Sequence, residues 1–112
     1  MRSNYTNFTS DYSEDAPTFE QVSELAGDTI LEFGAPWCGH CQAALPAVQE
    51  VLTKYSELSH IKVYDGKGKA LGRAFKVKLW PTLILLRDGK GVARLVRPLR
   101  ADEVHQFVSS SN

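Results

Sequence analysis

The chain has 112 residues, which suits one folded domain and leaves little room for a second. Hydrophobic residues make up 43% of it, enough for a packed core, so the composition argues against intrinsic disorder. The 13 basic and 13 acidic side chains give a formal net charge of +0, which argues against nucleic acid or an anionic membrane as the main partner. A basic stretch over residues 87–100 is interpreted as a solvated hairpin.

Residues 1–16 are polar and acidic, and they lack the basic start and apolar core of a secretory signal. No segment of the sequence approaches the roughly 20 apolar residues of a membrane span. We therefore expect a cytoplasmic protein if Met1 is the native start, although removal of a signal segment would leave the same sequence. Glycosylation sequons begin at Asn4 and Asn7 and would matter only in a secretory pathway.

The hydrophobic pattern divides the chain into an N-terminal arm over residues 1–16, a domain over 17–108 and a tail over 109–112. We expect a loose arm, with room for a short edge strand about residues 5–9, and a tail that frays. Helices are predicted over 18–27, 38–55, 69–75 and 101–108, and strands over 29–34, 61–64, 83–86 and 92–96. This order predicts an α/β fold, with a central mixed β-sheet of four to five strands and helices on both faces.

The only two cysteines of the sequence, Cys38 and Cys41, open the long second helix directly after a predicted buried strand. Thiol–disulfide exchange needs a thiolate, and the free backbone N–H groups and dipole at a helix N-terminus favour that charged form of Cys38. A protonated His40 would add to this effect. Cys41 lies one turn further on, where it can reach Cys38. The pair falls short of the four ligands of a structural zinc site.

Residues 32–41, which read Glu-Phe-Gly-Ala-Pro-Trp-Cys-Gly-His-Cys, resemble the active-site segment of the thioredoxin superfamily in its protein-disulfide-isomerase variant. The resemblance spans about residues 18–108. It includes Glu32 at the buried-acid position, Pro46 at a helix kink, Pro81 where the family has a cis proline, and an Asp88-Gly89 hairpin. It implies a thioredoxin fold and a thiol–disulfide oxidoreductase with a redox-active disulfide and no cofactor.

The resemblance also implies roles for individual residues. Cys38 would attack a substrate disulfide, and Cys41 would resolve the mixed disulfide by closing the Cys38–Cys41 bond. Gly39 and His40 would modulate this exchange. Glu32, with a pKa raised by burial, would accept the Cys41 proton; the alternative is a glutamate that faces solvent from an edge strand.

Four further residues are assigned by the same resemblance. Lys62 corresponds to a lysine near the buried acid, although a plain surface lysine is an open alternative. A cis bond before Pro81 would place the Trp80 backbone beside Cys38, where it could pair with an extended substrate. Trp37 and Trp80 would form an apolar docking surface, and for Trp80 a core position is equally compatible with the sequence.

Two positions and one loop depart from the family. Gly34 stands where an aromatic residue is common, and Arg97 stands where glycine lets a partner approach closely. The loop over residues 65–69 is also unusually rich in glycine and lysine. An arginine at position 97 would crowd this surface or recruit acidic partners.

The sequence therefore predicts a monomeric enzyme that reduces protein disulfides and takes electrons from a thioredoxin reductase or a small thiol. An isomerase or oxidase with the same site is the first alternative, because a stabilised Cys38 thiolate makes the disulfide a stronger oxidant. A non-catalytic binding module is the second. A metal site built from Cys38, His40 and Cys41 is the third, and its tetrahedral geometry would be poor.

Overall fold

The computed structural model describes residues 8–66 and 69–109. In chain order the elements are α1 (Phe19–Ser23), β1 (Asp28–Gly34), α2 (Gly39–Leu52), β2 (Ser59–Tyr64), α3 (Ala70–Ala74), β3 (Thr82–Arg87), β4 (Lys90–Val96) and α4 (Ala101–Ser109). They form a four-stranded sheet in the order β2-β1-β3-β4. Strand β2 is parallel to β1, and the other two pairings are antiparallel. The predicted fold class, a mixed sheet with helices, is confirmed.

Side chains alternate between the two faces of β1, as the two-residue repeat of a strand requires. Ile30 packs into an apolar cluster with residues of α2 and α4 on one face of the sheet. Leu31 and Phe33 pack into a second cluster, with residues of α1 and α3, on the other face. Six consecutive residues of β1 are buried, because this central strand is covered on both sides.

Helix α2 ends at Leu52, three residues before the predicted end at residue 55. The N–H groups of Lys54 and Tyr55 bond to carbonyls three residues back, so a tighter turn replaces the last part of the helix. Pro46 lies within α2 as predicted. Helix α1 begins after a capping box formed by Thr18 and Gln21, and it ends at Ser23, before the predicted end at residue 27.

The described part of the N-terminal arm is hydrogen-bonded to the sheet rather than loose. Ser13 donates its N–H to the Lys62 carbonyl and accepts the Tyr64 N–H at its own carbonyl, both at 2.9 Å. The Thr9 hydroxyl also binds strand β2, because it donates to the His60 carbonyl at 2.9 Å. The arm is fixed because β2 is the edge strand of the sheet and offers unpaired backbone groups. Residues 5–7 of the predicted edge strand, and 110–112 of the tail, lie outside the described residues, while Ser109 ends α4.

Candidate active site

The turn between β1 and α2 places Cys38 at the start of a helix. Its N–H bonds to the Ala35 carbonyl, and its backbone is extended, as is usual at a helix N-cap. Its Sγ accepts the backbone N–H of Cys41 at 3.3 Å. Both cysteines are free thiols and are 8% and 4% exposed. The Cys38 sulfur therefore occupies the place of a capping oxygen, where a negative charge is stabilised.

The first turn of α2 also carries the two residues between the cysteines. Gly39 and His40 are both exposed, and an added Cβ at Gly39 would meet no atom within 4 Å. His40 thus stands at the solvent-facing start of the helix, beside the position where Cys38 reacts. A charge on this imidazole would act on the same thiolate as the helix dipole.

Two tryptophans form an apolar wall next to the dithiol. Trp37 is 64% exposed, and its ring meets that of Trp80 edge-on, with centroids 5.5 Å apart. Trp80 is half-buried, and its indole N–H donates to Asp65 Oδ2 at 3.0 Å. The Trp80–Pro81 bond is cis. The half-buried position excludes a full core position for Trp80, and its role in a docking surface with Trp37 stays a prediction.

Arg97 takes a backbone conformation that usually belongs to glycine, with φ +52°. Its N–H donates to the Pro81 carbonyl at 3.0 Å, and its Nε donates to the Trp80 carbonyl at 2.9 Å. These two bonds hold an L-residue in the left-handed region. They also place a guanidinium against the backbone next to the dithiol, so the surface here is both crowded and positively charged.

Glu32 lies in the middle of β1 and is 1% exposed, so the solvent-facing alternative is wrong. Its Oε2 accepts the Tyr12 hydroxyl at 2.8 Å, and its Oε1 contacts His60 Nε2 at 2.9 Å. The Thr9 N–H donates to His60 Nδ1, so that nitrogen must be an acceptor and Nε2 carries the proton. The neutral His60 ring therefore donates to the carboxylate.

The prediction that burial leaves Glu32 with a raised pKa is wrong. Burial does raise it, but the hydrogen bond and electrostatic effect of His60, the nearby charge of Lys62 and the hydrogen bond from Tyr12 outweigh that effect. The pKa of Glu32 is consequently lower than its usual value, and the carboxylate is ionised. The sequence pointed to Lys62 beside the acid but not to Tyr12 or His60, because neither of these donors is close to Glu32 along the chain.

Lys62 pairs with Glu32 in the parallel register of β1 and β2 and is 4% exposed, so it is no plain surface lysine. Its Nζ donates to the Ser10 carbonyl at 2.8 Å and lies 4.2 Å from the centroid of the Tyr12 ring. The lysine therefore holds the arm in place over the sheet and acts on Glu32 through its charge.

Tyr12 and His60 are the site residues that sequence reasoning missed. A Cβ on Gly34 would lie 2.5 Å from the Tyr12 hydroxyl oxygen and 2.6 Å from Cys41 Sγ, so only glycine leaves room for both atoms. The family's missing aromatic at Gly34 is thus replaced by a tyrosine from the arm. The departure at Gly34 was the available signal for Tyr12, and the two-residue repeat before Lys62 was the signal for His60.

Cys41 differs from Cys38 in its surroundings. Burial and a hydrogen bond with Cys38 raise the pKa of the Cys41 thiol to about 11, and a hydrogen bond with Tyr12 offsets part of this rise. The resolving thiol is therefore protonated at neutral pH and needs a base before it can attack.

Within residues 8–66 and 69–109, no group of three His, Cys, Asp or Glu side chains is placed to hold a metal ion. The same part of the chain contains no helix that is both long and apolar enough to cross a membrane.

A thioredoxin-like fold with a dithiol at the start of a helix defines the class of thiol–disulfide oxidoreductases. Comparisons with known proteins give the family: residues 10–110 match the model described as thioredoxin, and the chain belongs to that family. Thioredoxin 2 of Pseudomonas aeruginosa PAO1, solved in its reduced form, is 50% identical, with a TM-score of 0.83 over 92% of this chain and 95% of that one.

Two curated relatives extend this comparison. Thioredoxin 1 of Synechococcus elongatus is 30% identical over 73% of this chain and 78% of its own length. A protein disulfide-isomerase of Hordeum vulgare is also 30% identical, over 70% of this chain and 17% of its own length. The chain is therefore an enzyme that catalyses dithiol–disulfide exchange through its two cysteines.

The lowered pKa of Glu32 predicts how its contribution to stability depends on pH. A carboxyl with a depressed folded-state pKa stabilises the fold above its ordinary value of 4.5, and this is lost as the pH falls through the folded-state value. Glu32→Gln should lower the free energy of unfolding at pH 7 by about 1–3 kcal/mol, because the charge-assisted hydrogen bonds weaken. The difference in the free energy of unfolding between wild type and Glu32→Gln should become smaller below about pH 4.5.

Urea unfolding across pH 3–8 measures this difference. Glu57→Gln, which removes the same charge from an exposed turn, is the matched control and should change stability by less than about 0.5 kcal/mol. A difference for Glu32→Gln that stays constant or grows in acid would contradict the ionised, hydrogen-bonded carboxylate.

Proposed function

We propose that this protein is a cytoplasmic, monomeric reductase of protein disulfides. The observation that carries the proposal is the Cys38 Sγ at the N-terminus of α2, which accepts the N–H of its own resolving cysteine. An electron donor, either a thioredoxin reductase or a small-molecule thiol, would restore the dithiol after each turnover. A monomer leaves Cys38 and the exposed Trp37 free to meet a folded substrate.

The reaction proceeds in two exchange steps. The Cys38 thiolate attacks one sulfur of a substrate disulfide, which forms a mixed disulfide and releases the other substrate sulfur as a thiolate. Cys41 then attacks Cys38 Sγ, and the second substrate sulfur leaves. The products are a substrate dithiol and a Cys38–Cys41 disulfide, so two electrons pass from the protein to the substrate.

Reduction of insulin disulfides tests this function. With dithiothreitol as the electron source, Cys38→Ser should abolish the catalysed rate, because the attacking sulfur is lost. Cys41→Ser should instead accumulate a mixed disulfide with the substrate, detectable by mass, because the attack that releases the substrate is missing. A Cys38→Ser variant with wild-type activity would contradict the proposal. Replacing dithiothreitol with glutathione, or with NADPH and a thioredoxin reductase, identifies the donor.

An oxidase or isomerase is the second candidate, and the exposed His40 between the cysteines favours it. A charge that stabilises the Cys38 thiolate stabilises the reduced protein and so makes the disulfide more oxidising. His40→Pro should therefore lower the midpoint potential by several tens of mV, towards the thioredoxin value of about −270 mV and away from the isomerase value of about −180 mV.

Equilibration with glutathione measures the potential, and His105→Gln on α4 is the control. A wild-type value near −180 mV would demote the general reductase, and an unchanged potential in His40→Pro would remove the tuning role of the histidine.

Arg97 is proposed to favour substrates with acidic residues near their disulfide. Its guanidinium lies on the Trp80 carbonyl, the backbone group next to the cis proline. Arg97→Gly fits the left-handed backbone and should lower kcat/KM about fivefold for a disulfide peptide with acidic flanks, relative to a neutral peptide. Using the ratio of the two peptides cancels any general effect of uncovering the carbonyl.

The control is Arg94→Ala, which removes the same charge from a side chain that donates to the Phe75 carbonyl. It should leave the ratio unchanged. An equal loss for both peptides in Arg97→Gly, with the ratio intact, would exclude charge selection by Arg97.

A further inference from the structure

One side chain, Tyr12, separates the buried thiol of the resolving Cys41 from the buried carboxylate of Glu32. Cys41 is 4% exposed, and its sulfur and the Tyr12 hydroxyl both crowd the space above Gly34. The same hydroxyl lies 2.8 Å from Glu32 Oε2. Tyr12 is therefore the described side chain that contacts both the group that must lose a proton and the carboxylate that can take it.

We propose that the Tyr12 hydroxyl carries the proton from the Cys41 thiol to the Glu32 carboxylate as Cys41 attacks the mixed disulfide. The inference rests on dithiol exchange through Cys38 and Cys41. The proton on Cys41 Sγ passes to the phenol oxygen while the phenol proton passes to Glu32 Oε2. Cys41 Sγ forms a bond to Cys38 Sγ, the bond from Cys38 to the substrate sulfur breaks, and that sulfur leaves with the electron pair.

The hydrogen-bond directions suit this transfer. The ionised carboxylate has no proton to give, so the Tyr12 hydroxyl must donate to it, and its oxygen is then free to accept from the Cys41 thiol. Burial and the neighbouring carboxylate raise the pKa of Tyr12 above its usual range. A tyrosinate is therefore not an intermediate, and both protons move in one step.

The surrounding groups fix each partner for this role. The neutral His60 ring occupies the other carboxylate oxygen, which leaves Oε2 to Tyr12. Lys62 lies over the Tyr12 ring and holds the arm through Ser10. Titratable groups of several elements face the hydroxyl. Strand β1 contributes Glu32, strand β2 contributes His60 and Lys62, and helix α2 contributes Cys41 with its N-cap Cys38. The arm contributes Asp11, which lies across a groove beside Cys41.

The groove offers a competing route for the proton. It lies between the arm and α2, is lined by Tyr12 and Cys41 among others, and could admit water to the resolving sulfur. A water molecule would take the proton to bulk solvent, with a rate that follows the hydroxide concentration. Transfer through Tyr12 to an ionised carboxylate would instead be nearly independent of pH where Glu32 stays charged.

Rapid mixing of the reduced protein with excess Ellman's reagent separates the two steps. The first thionitrobenzoate is released as Cys38 forms the mixed disulfide, at a rate proportional to the reagent concentration. The second is released as Cys41 attacks, at a rate independent of that concentration. Tyr12→Phe keeps the ring beneath Lys62 and should slow the second phase at least about tenfold at pH 7, with the first phase unchanged. The second phase should also become about tenfold faster per pH unit, because Cys41 must then ionise to solvent.

Tyr64→Phe is the matched control, since Tyr64 packs against the same cysteine cluster, and both of its phases should equal those of wild type. Glu32→Gln should slow the second phase as Tyr12→Phe does, and the double variant should be no slower than the slower single one, because the two residues serve one pathway.

A Tyr12→Phe second phase with wild-type rate and pH profile would overturn the proposal in favour of water from the groove. A wild-type protein without a second phase would instead overturn dithiol exchange, and the proposal with it.

Discussion

The buried Glu32 carboxylate is the interaction on which the site depends. An ionised group in the middle of a covered strand is costly unless hydrogen bonds satisfy it, and here Tyr12 and His60 satisfy one oxygen each. Those two donors come from the arm and from β2, so the charge ties both segments to the central strand. The same requirement places a hydroxyl against the sulfur of Cys41. A group that stabilises the fold therefore also prepares the second step of the exchange.

The two cysteines share one helix but meet opposite electrostatic conditions. Cys38 lies at the N-cap, where its sulfur accepts the Cys41 N–H at the positive end of the helix dipole. Cys41 lies one turn inside, where burial favours the neutral thiol. This difference sets the order of events: the outer sulfur attacks first, and the inner one attacks only after losing a proton. A spacing of three residues thus gives the two thiols separate roles.

The features that are encoded locally could be predicted from the sequence. The turn before α2, the position of Cys38, the hairpin and the order of helices and strands follow from short patterns, and the structure has all of them. The hydrogen-bond donors to Glu32 were not predicted, because Tyr12 and His60 are 20 and 28 residues away from it. Their contacts depend on how the arm lies on the edge strand, and the short pattern of the arm did not predict that it would be ordered there.

Two apparent departures from the family also become intelligible in three dimensions. Gly34 is required because the phenol of the arm and the resolving sulfur fill the volume of a side chain there. Arg97 is tolerated because two backbone carbonyls hold it in the left-handed region, and its guanidinium then changes the charge of the docking surface. Each departure is compensated by a residue that lies elsewhere in the chain.

The protonation state of Glu32 in the folded protein is the most direct test of this account. The side-chain carboxyl can be labelled with carbon-13 and its chemical shift followed by NMR from pH 2 to pH 8, with Glu32→Gln used for the assignment. The account predicts one titration below the ordinary glutamate value of 4.5, because two donors and a nearby lysine stabilise the charge. A carboxyl that takes up its proton above that value, near neutral pH, would show that burial prevails and would contradict the account.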